Sequence, residues 1–161
     1  MNLPFTLERE QWVPRPLDEV FSFFSDAGNL EALTPAWMRF RILTPQPIDI
    51  GAGTLIDYQL SWHGIPLRWK TEITVWDPPN CFVDLQLKGP YRLWHHTHRF
   101  RASAGGTQIL DSVKYMLPLG ALGQLVNTLS VRRNVEEIFA YRHQKVSELF
   151  GGDQKNETGH P

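Results

Sequence analysis

The feature that most constrains the fold is a series of strand-length segments in the middle of the chain, followed by one long amphipathic segment. Turn signals such as His63-Gly64, Asp77-Pro78-Pro79-Asn80 and Gly105-Gly106 separate these segments. Regular hairpin spacing of this kind is typical of an antiparallel meander. The predicted strands are residues 40–43, 54–62, 67–76, 82–87, 91–102 and 107–117.

Helical patterns flank the predicted meander on both sides. An opening strand over Phe5–Val13 ends at prolines, and a helix then begins at Pro16, with a second short helix over residues 30–33. At the other end, apolar residues recur at helical spacing from Gly120 to Phe150 and predict one long amphipathic helix. The order predicts an α+β fold: a curved antiparallel sheet of about seven strands, two short helices, and a long C-terminal helix over one face.

Length and charge narrow the possible roles of the chain. A chain of 161 residues is the size of one domain, which we assign to residues 1–150, with residues 151–161 as a flexible tail. The net charge is -1 and the basic residues are dispersed, so we expect no nucleic-acid partner. The sequence does not specify an oligomeric state.

Cysteine content and hydropathy indicate the compartment. Cys81 is the single cysteine, which excludes an internal disulfide and fits a reducing compartment. The N-terminus lacks a signal-peptide pattern, and residues 116–131 are too short and too polar for a transmembrane helix. We therefore expect a cytoplasmic protein without a transmembrane segment.

Several motifs in the second half of the chain resemble those of one superfamily. They are Trp76-Asp77-Pro78-Pro79, Phe82-Val83-Asp84, Gly89-Pro90-Tyr91, the run from Trp94 to Phe100, Gly105-Gly106-Thr107 and Asp111. Together with the element order, they resemble the helix-grip fold of the SRPBCC (START-like) superfamily, in its polyketide cyclase/dehydrase-like and coenzyme Q-binding-protein-like branch. The resemblance covers roughly residues 3–150 and implies a cavity for a hydrophobic small molecule. The superfamily contains both enzymes and binding proteins.

Strand phase predicts a polar cluster on the concave face of the sheet. Arg99 and Arg101 occupy one phase of their strand, so His96 and His98 should point inward with Trp94 and Phe100. By the same argument Asp111 and Tyr115 point inward from the next strand. A short turn at Gly105-Gly106 would bring Asp111 near one of the histidines. The cluster is either a polar anchor or acid/base pair for a ligand, or an internal network that fixes the sheet register.

Metal binding is the other chemistry that these histidines permit. His96 and His98 are two residues apart on a strand, which lets two imidazoles reach one ion, but the third ligand is undefined among His63, His143, Asp84 and Asp111. We therefore predict no metal and no cofactor. His95 should face solvent, and the orientation of Asp84 and Gln86 stays open because their strand alternates ambiguously.

Large aromatic residues on the inward phase predict the wall of the cavity. We expect a ligand-binding set of Tyr58, Trp62, Trp69, Trp94, His96, His98, Asp111 and Tyr115. The predicted function is the binding or carriage of a lipid, an isoprenoid quinone or an aromatic polyketide. The alternative is a cyclase or dehydratase in which His96, His98 and Asp111 transfer protons. A protein-interaction role would rest on residues 118–129, whose apolar character core packing explains more simply.

Overall fold

The computed structural model describes residues 3–152, apart from the side chain of Thr128. Its main element is a seven-stranded sheet in the order β1-β7-β6-β5-β4-β3-β2, and every neighbouring pair is antiparallel. The α+β prediction and the strand number are thereby confirmed. The strands are Phe5–Val13 (β1), Arg41–Ile42 (β2), Leu55–Trp62 (β3), Ile65–Asp77 (β4), Cys81–Lys88 (β5), Leu93–Ser103 (β6) and Gly106–Met116 (β7).

The helices follow the predicted order with two corrections. Helix α1 spans Leu17–Phe24, and the C-terminal helical segment consists of α2 (Gly120–Val126), a π-helical turn (Asn127–Val131) and α3 (Arg132–Phe150). The single long helix is thus continuous, but one π turn interrupts its regular hydrogen bonding. Most of the flexible tail predicted for residues 151–161 lies outside the described residues, which end at Gly152.

The second short helix does not have the predicted bounds, residues 30–33, and it is not an α-helix. Two 3₁₀ turns, Ala27–Leu30 and Ala36–Met38, occupy this region instead. The Asp26 carboxylate accepts from the Gly28 amide at 2.8 Å, and the Thr34 hydroxyl donates to the Leu30 carbonyl at 2.7 Å. Such local side-chain hydrogen bonds compete with a regular helix and favour short turns.

The β6–β7 hairpin sets the register on which the polar cluster depends. Its two turn residues are Ala104 and Gly105, both with positive φ, and Ser103 pairs with Gly106. The turn therefore lies one residue earlier than the predicted Gly105-Gly106. Gly106 belongs to the strand, where a Cβ would collide with the Val13 carbonyl oxygen and the Trp12 ring. This register places His98 directly opposite Asp111.

Helix α3 lies across the concave face of the sheet, as predicted. Its buried residues are Val135, Phe139, Val146 and Phe150. Nε2 of the buried Gln11 on β1 donates to the His143 carbonyl and to the Ser147 hydroxyl, both at 2.9 Å. These hydrogen bonds join the helix to the edge strand of the sheet.

The apolar segment before α3 is more exposed than its sequence suggests. The side chains of Leu119, Leu122, Leu125, Val126 and Leu129 are 45% to 74% exposed, so the expectation that core packing accounts for this segment is wrong. Strand β7 ends at Met116, and no described residue from 118 to 129 belongs to the clusters of buried hydrophobic residues. No helix among residues 3–152 is long and apolar enough to cross a membrane.

Candidate functional site: an apolar cavity closed by a buried His–Asp cluster

A cavity of about 180 Å³ lies between the sheet and α3. Tyr58, Trp62, Trp69 and Trp94, the four aromatic residues predicted for its wall, all line it. Helix α3 covers it with Val135, Ile138, Phe139 and Arg142. The wall is therefore mainly apolar, which is the usual character of a small-molecule pocket.

Aromatic rings pack against one another in one part of the wall. Trp69 meets Trp94 with centroids 5.4 Å apart and planes at 87°, and it meets Tyr91 at 5.7 Å. The Trp69 indole N–H donates to the Thr71 hydroxyl at 3.3 Å, so its polar group is satisfied away from any ligand. Burial raises the pKa of Tyr58, aided by the nearby Asp84 charge, so the phenol stays protonated. These residues offer a rigid, neutral surface.

Two histidines and two aspartates form a largely buried group beside the cavity, which we call the His–Asp cluster: Asp84, His96, His98 and Asp111. Strand pairing places it, because Asp84 on β5 faces His96 on β6 and His98 faces Asp111 on β7. His96 Nε2 lies 2.8 Å from Asp111 Oδ1, and His98 Nε2 lies 2.7 Å from Asp84 Oδ2. Each imidazole thus bonds to the aspartate diagonal to it.

The remaining ring nitrogens make looser contacts with the opposite carboxylates. His98 Nδ1 lies 3.1 Å from Asp111 Oδ1, close enough for an ion pair, although the direction does not suit a hydrogen bond. His96 Nδ1 lies 3.7 Å from Asp84 Oδ2. His98 therefore has a carboxylate close to both nitrogens, which favours its protonated form.

Aromatic rings enclose the two imidazoles. The His96 and His98 rings face each other with centroids 3.7 Å apart and planes inclined by 33°. Phe82 stacks on His98 at 4.1 Å, and Phe139 of α3 meets His96 at 5.5 Å. Both histidines are buried, at 4% and 5% exposure. Two imidazolium ions at this distance would repel strongly in a poorly solvated site, so we infer that only one ring carries a charge.

The pKa values within the His–Asp cluster shift in opposite directions. Burial and the neighbouring His98 charge lower the pKa of His96, and the bond to Asp111 does not reverse this. Burial also acts to lower the pKa of His98, but Asp111 and Asp84 outweigh it and raise that pKa. Burial acts to raise the pKa values of both aspartates, but the histidines hold that of Asp84 low and that of Asp111 well below its usual range. These shifts favour the protonated form of His98 and the neutral form of His96, and they keep both aspartates as carboxylates.

Six of the eight residues predicted for ligand binding line the cavity: Tyr58, Trp62, Trp69, Trp94, His96 and His98. Asp111 and Tyr115 do not. Asp111 lies behind His96, where it borders a small crevice between β1 and α3, and Tyr115 packs in the core beside Leu7 and Val113. Strand phase predicts which face of the sheet a side chain lies on. It does not predict whether that side chain lines the cavity or packs in the core beside it, so it could not distinguish Asp111 and Tyr115 from the residues of the wall.

Asp84 and Arg142 are the site residues that sequence reasoning left unresolved or missed. Asp84 faces the cavity with 20% of its side chain exposed, which settles its open orientation. Gln86 instead donates to the Tyr91 carbonyl at 2.7 Å. The sequence does contain a signal that Arg142 faces the sheet, because it lies at the same helical spacing as Val135, Phe139 and Val146. A cation within an apolar stripe is unusual enough to mark a candidate site.

The other polar residues considered for the site lie elsewhere. His95 borders a groove on the opposite face with Thr97 and Arg99, as its strand phase predicts. Ligand atoms of Asp84, His96 and His98 lie within 4.8 Å of one another, so Asp84 could supply the third metal ligand. However, both carboxylates of the His–Asp cluster are already engaged by histidines.

The fold and site define a helix-grip protein with an internal apolar cavity. A family model described as "Polyketide cyclase / dehydrase and lipid transport" matches residues 13–139, and the chain belongs to this family. Among curated protein sequences, none matches the chain.

Solved structures of low sequence identity share the fold. Protein Ms6760 from Mycobacterium smegmatis is 18% identical with a TM-score of 0.66, and the match covers 89% of each chain. The Zhui aromatase/cyclase from Streptomyces sp. R1128 is 14% identical with a TM-score of 0.64, over 91% of this chain and 96% of that one. Major latex-like protein 151 from Panax ginseng is 11% identical with a TM-score of 0.67, over 92% of this chain and 99% of that one. At these identities the similarity establishes the fold alone.

Proposed function

We propose that the protein binds a hydrophobic small molecule with its body among the cavity aromatics and a polar end at the His–Asp cluster. This proposal rests on one observation: the same cavity has a mainly apolar, aromatic wall and a group of titratable side chains, Asp84, His96 and His98, of which the two histidines are buried. Family membership supports the same class of ligand, because the family's description includes polyketide processing and lipid transport.

The size of the cavity limits the part of the ligand that it can enclose. An apolar protein cavity of about 150 Å³ accommodates benzene, and this cavity measures about 180 Å³. A body of one or two fused rings, as in an aromatic polyketide or a quinone head, fits this volume. A long acyl or isoprenoid chain would have to extend through the mouth. Among lipid, isoprenoid quinone and aromatic polyketide, the compact aromatic ligands are therefore favoured.

Thermal unfolding with naphthalene tests binding at this site. A ligand that binds only the folded state raises Tm by mass action, so naphthalene should stabilise the unaltered protein. Leu67→Trp fills the cavity from β4 and should abolish the rise in Tm. Leu87→Trp adds the same ring at an exposed position outside the cavity and should leave the rise intact. A rise of equal size in all three proteins would place the binding elsewhere and refute the proposal, as would no rise at all.

Catalysis is a second candidate, and a specific observation favours it. His96 and His98 both line the cavity, and their pKa values are shifted in opposite directions. A neutral base beside a charged acid is the arrangement required to move a proton next to a carbonyl, which is the step that cyclisation and dehydration of ketones share.

Hydrogen exchange of a bound ketone separates carriage from catalysis. In deuterated water, an enzyme of this kind should accelerate exchange of the methyl protons of acetylnaphthalene, as followed by NMR. His98→Gln should lose the acceleration, whereas His95→Gln, on the opposite face of the same strand, should retain it. Binding without any acceleration would leave carriage as the function.

A further inference from the structure

Arg142 is the one charged side chain that α3 contributes to the cavity wall. It occupies the stripe that faces the sheet, between Phe139 and Val146, both of which are buried. Its guanidinium carbon lies 5.2 Å from the centre of the Phe139 ring. The guanidinium thus lies over an aromatic ring, and its charge acts on the Asp84 carboxylate, which also lines the cavity.

Two donor atoms of Arg142 lack hydrogen-bond partners. Nε and Nη1 are both buried, and neither makes a hydrogen bond. Among the described residues no carboxylate lies within ion-pair distance of this guanidinium, and Asp84 and Asp111 are already bonded to His98 and His96. Leaving buried N–H groups of a cation unpaired is costly. A bound molecule that accepts from both groups would remove this cost.

The charge already present selects the kind of acceptor. A carboxylate oxygen lies near both ring nitrogens of His98 and favours its protonated form. In that form His98 and Arg142 balance the two negative charges of Asp84 and Asp111. The group is therefore neutral before any ligand binds. A carboxylate ligand would add an uncompensated negative charge in a poorly solvated site. A ketone or quinone oxygen accepts hydrogen bonds without disturbing the balance.

We propose that Arg142 recognises the uncharged carbonyl oxygen of a compact aromatic ketone or quinone, which accepts from its Nε–H and Nη1–H groups. This inference rests on the proposed function, since it names the ligand class of the same cavity. Arg142 acts here as a binding residue, and it orients the carbonyl toward the His–Asp cluster. Free fatty acids and aromatic carboxylates are thereby disfavoured as ligands.

Three naphthalenes of similar shape test the proposal by isothermal titration calorimetry at neutral pH. Acetylnaphthalene carries a neutral carbonyl, ethylnaphthalene carries no acceptor, and naphthoate carries a charge. In the unaltered protein the ketone should bind roughly tenfold to hundredfold more tightly than the hydrocarbon, which is the effect of hydrogen bonds to a charged donor. Naphthoate should bind more weakly than the ketone.

Variants assign the preference to Arg142. Arg142→Met keeps an apolar stem but removes the donors, so the ketone should lose its advantage while the affinity for ethylnaphthalene persists. Arg142→Lys keeps the charge without the paired donors, should retain only part of the preference, and serves as the readout if the Met variant fails to fold. Arg133→Met, at an exposed position of the same helix, should behave like the unaltered protein.

The outcomes distinguish the two proposals. If ethylnaphthalene itself does not bind, the proposed function fails, and this inference fails with it. If ethylnaphthalene binds but the ketone has no advantage, or if the advantage survives in Arg142→Met, only the role of Arg142 is overturned. Tighter binding of naphthoate than of the ketone would likewise overturn the neutral-carbonyl assignment.

Discussion

His96 and His98 face each other with ring centroids 3.7 Å apart, yet each forms its short hydrogen bond with a different aspartate, His96 with Asp111 and His98 with Asp84. The two rings share a pair of carboxylates, and only His98 has a carboxylate oxygen within 3.1 Å of both nitrogens. Two histidines that are two positions apart on one strand therefore have different electrostatic environments, which shift their pKa values in opposite directions. The sequence pattern, two inward-facing histidines separated by one residue, does not reveal this difference between His96 and His98.

We expect the two histidines to titrate on opposite sides of the ordinary imidazole value of about 6.5. The pKa of His98 is raised by Asp111 and Asp84, and that of His96 is lowered by burial and by His98. Nitrogen-15 NMR of histidine-labelled protein should show His98 still protonated above this value and His96 still neutral below it. Asp84→Asn should lower the pKa of His98. Coincident titration of the two rings at the ordinary value would contradict the asymmetry.

Stability should fall in acid because of the buried aspartates. The pKa of Asp111 is lowered well below its usual value in the folded state, so its contribution is fully present above the unfolded value of about 3.9. The contribution is lost as pH falls through the folded pKa. Asp111→Asn should therefore cost roughly 2 kcal/mol near neutral pH, and this difference should shrink as pH is lowered below about 4.

Urea unfolding at several pH values measures this difference directly. The matched control is Asp57→Asn, at a partly exposed aspartate 3.7 Å from Lys70. Exposed ion pairs contribute about 0–1 kcal/mol, so this substitution should have little effect at any pH. An effect of Asp111→Asn that does not depend on pH would indicate a packing defect rather than a loss of charge.

The link between β1 and α3 should depend on Gln11. Its buried amide joins the strand to the His143 carbonyl and the Ser147 hydroxyl, so Gln11→Ala leaves acceptors unsatisfied and should cost about 1–3 kcal/mol. Gln108 donates to Glu10 at 2.7 Å on the exposed side of the sheet, and Gln108→Ala should cost less than about 0.5 kcal/mol. Chemical denaturation compares the two variants, and equal effects would argue against a specific role for the buried amide.

At the C-terminal end of α3, substitutions of two adjacent residues, Leu149 and Phe150, should have very different effects on stability. Phe150 is 8% exposed and meets Phe23 at 5.0 Å, whereas Leu149 is 50% exposed. Phe150→Ala should destabilise the fold by about 3–5 kcal/mol through lost contacts and a new cavity. Leu149→Ala should change stability by less than about 0.5 kcal/mol. Thermal unfolding of both variants checks this, and a small effect at Phe150 would mean that the end of the helix contributes little to folding.

The sequence by itself determined the elements and their faces. The first strand has the predicted bounds, Phe5–Val13, because two prolines end it and proline cannot continue a strand ladder. The period of two along a strand was enough to turn His96, His98 and Asp111 toward the inside. Helical periodicity likewise identified Val135, Phe139 and Val146 as residues of α3 that face the sheet, although it did not identify Phe150. These are local rules, since each depends only on the geometry of a few consecutive residues.

Only the tertiary structure decided which inward residues meet. Asp84, His98 and Asp111 lie on three adjacent strands, and their contacts depend on a register that places the β6–β7 turn at Ala104 and Gly105 rather than one residue later. The tertiary packing also determines that Asp84 lines the cavity, whereas Asp111 borders the small crevice between β1 and α3. Packing also left Arg142 over Phe139 without a hydrogen-bond acceptor for Nε and Nη1. These contacts are between residues that are distant in the sequence. The distances between them, and therefore their electrostatic interactions, depend on how the sheet curves around α3.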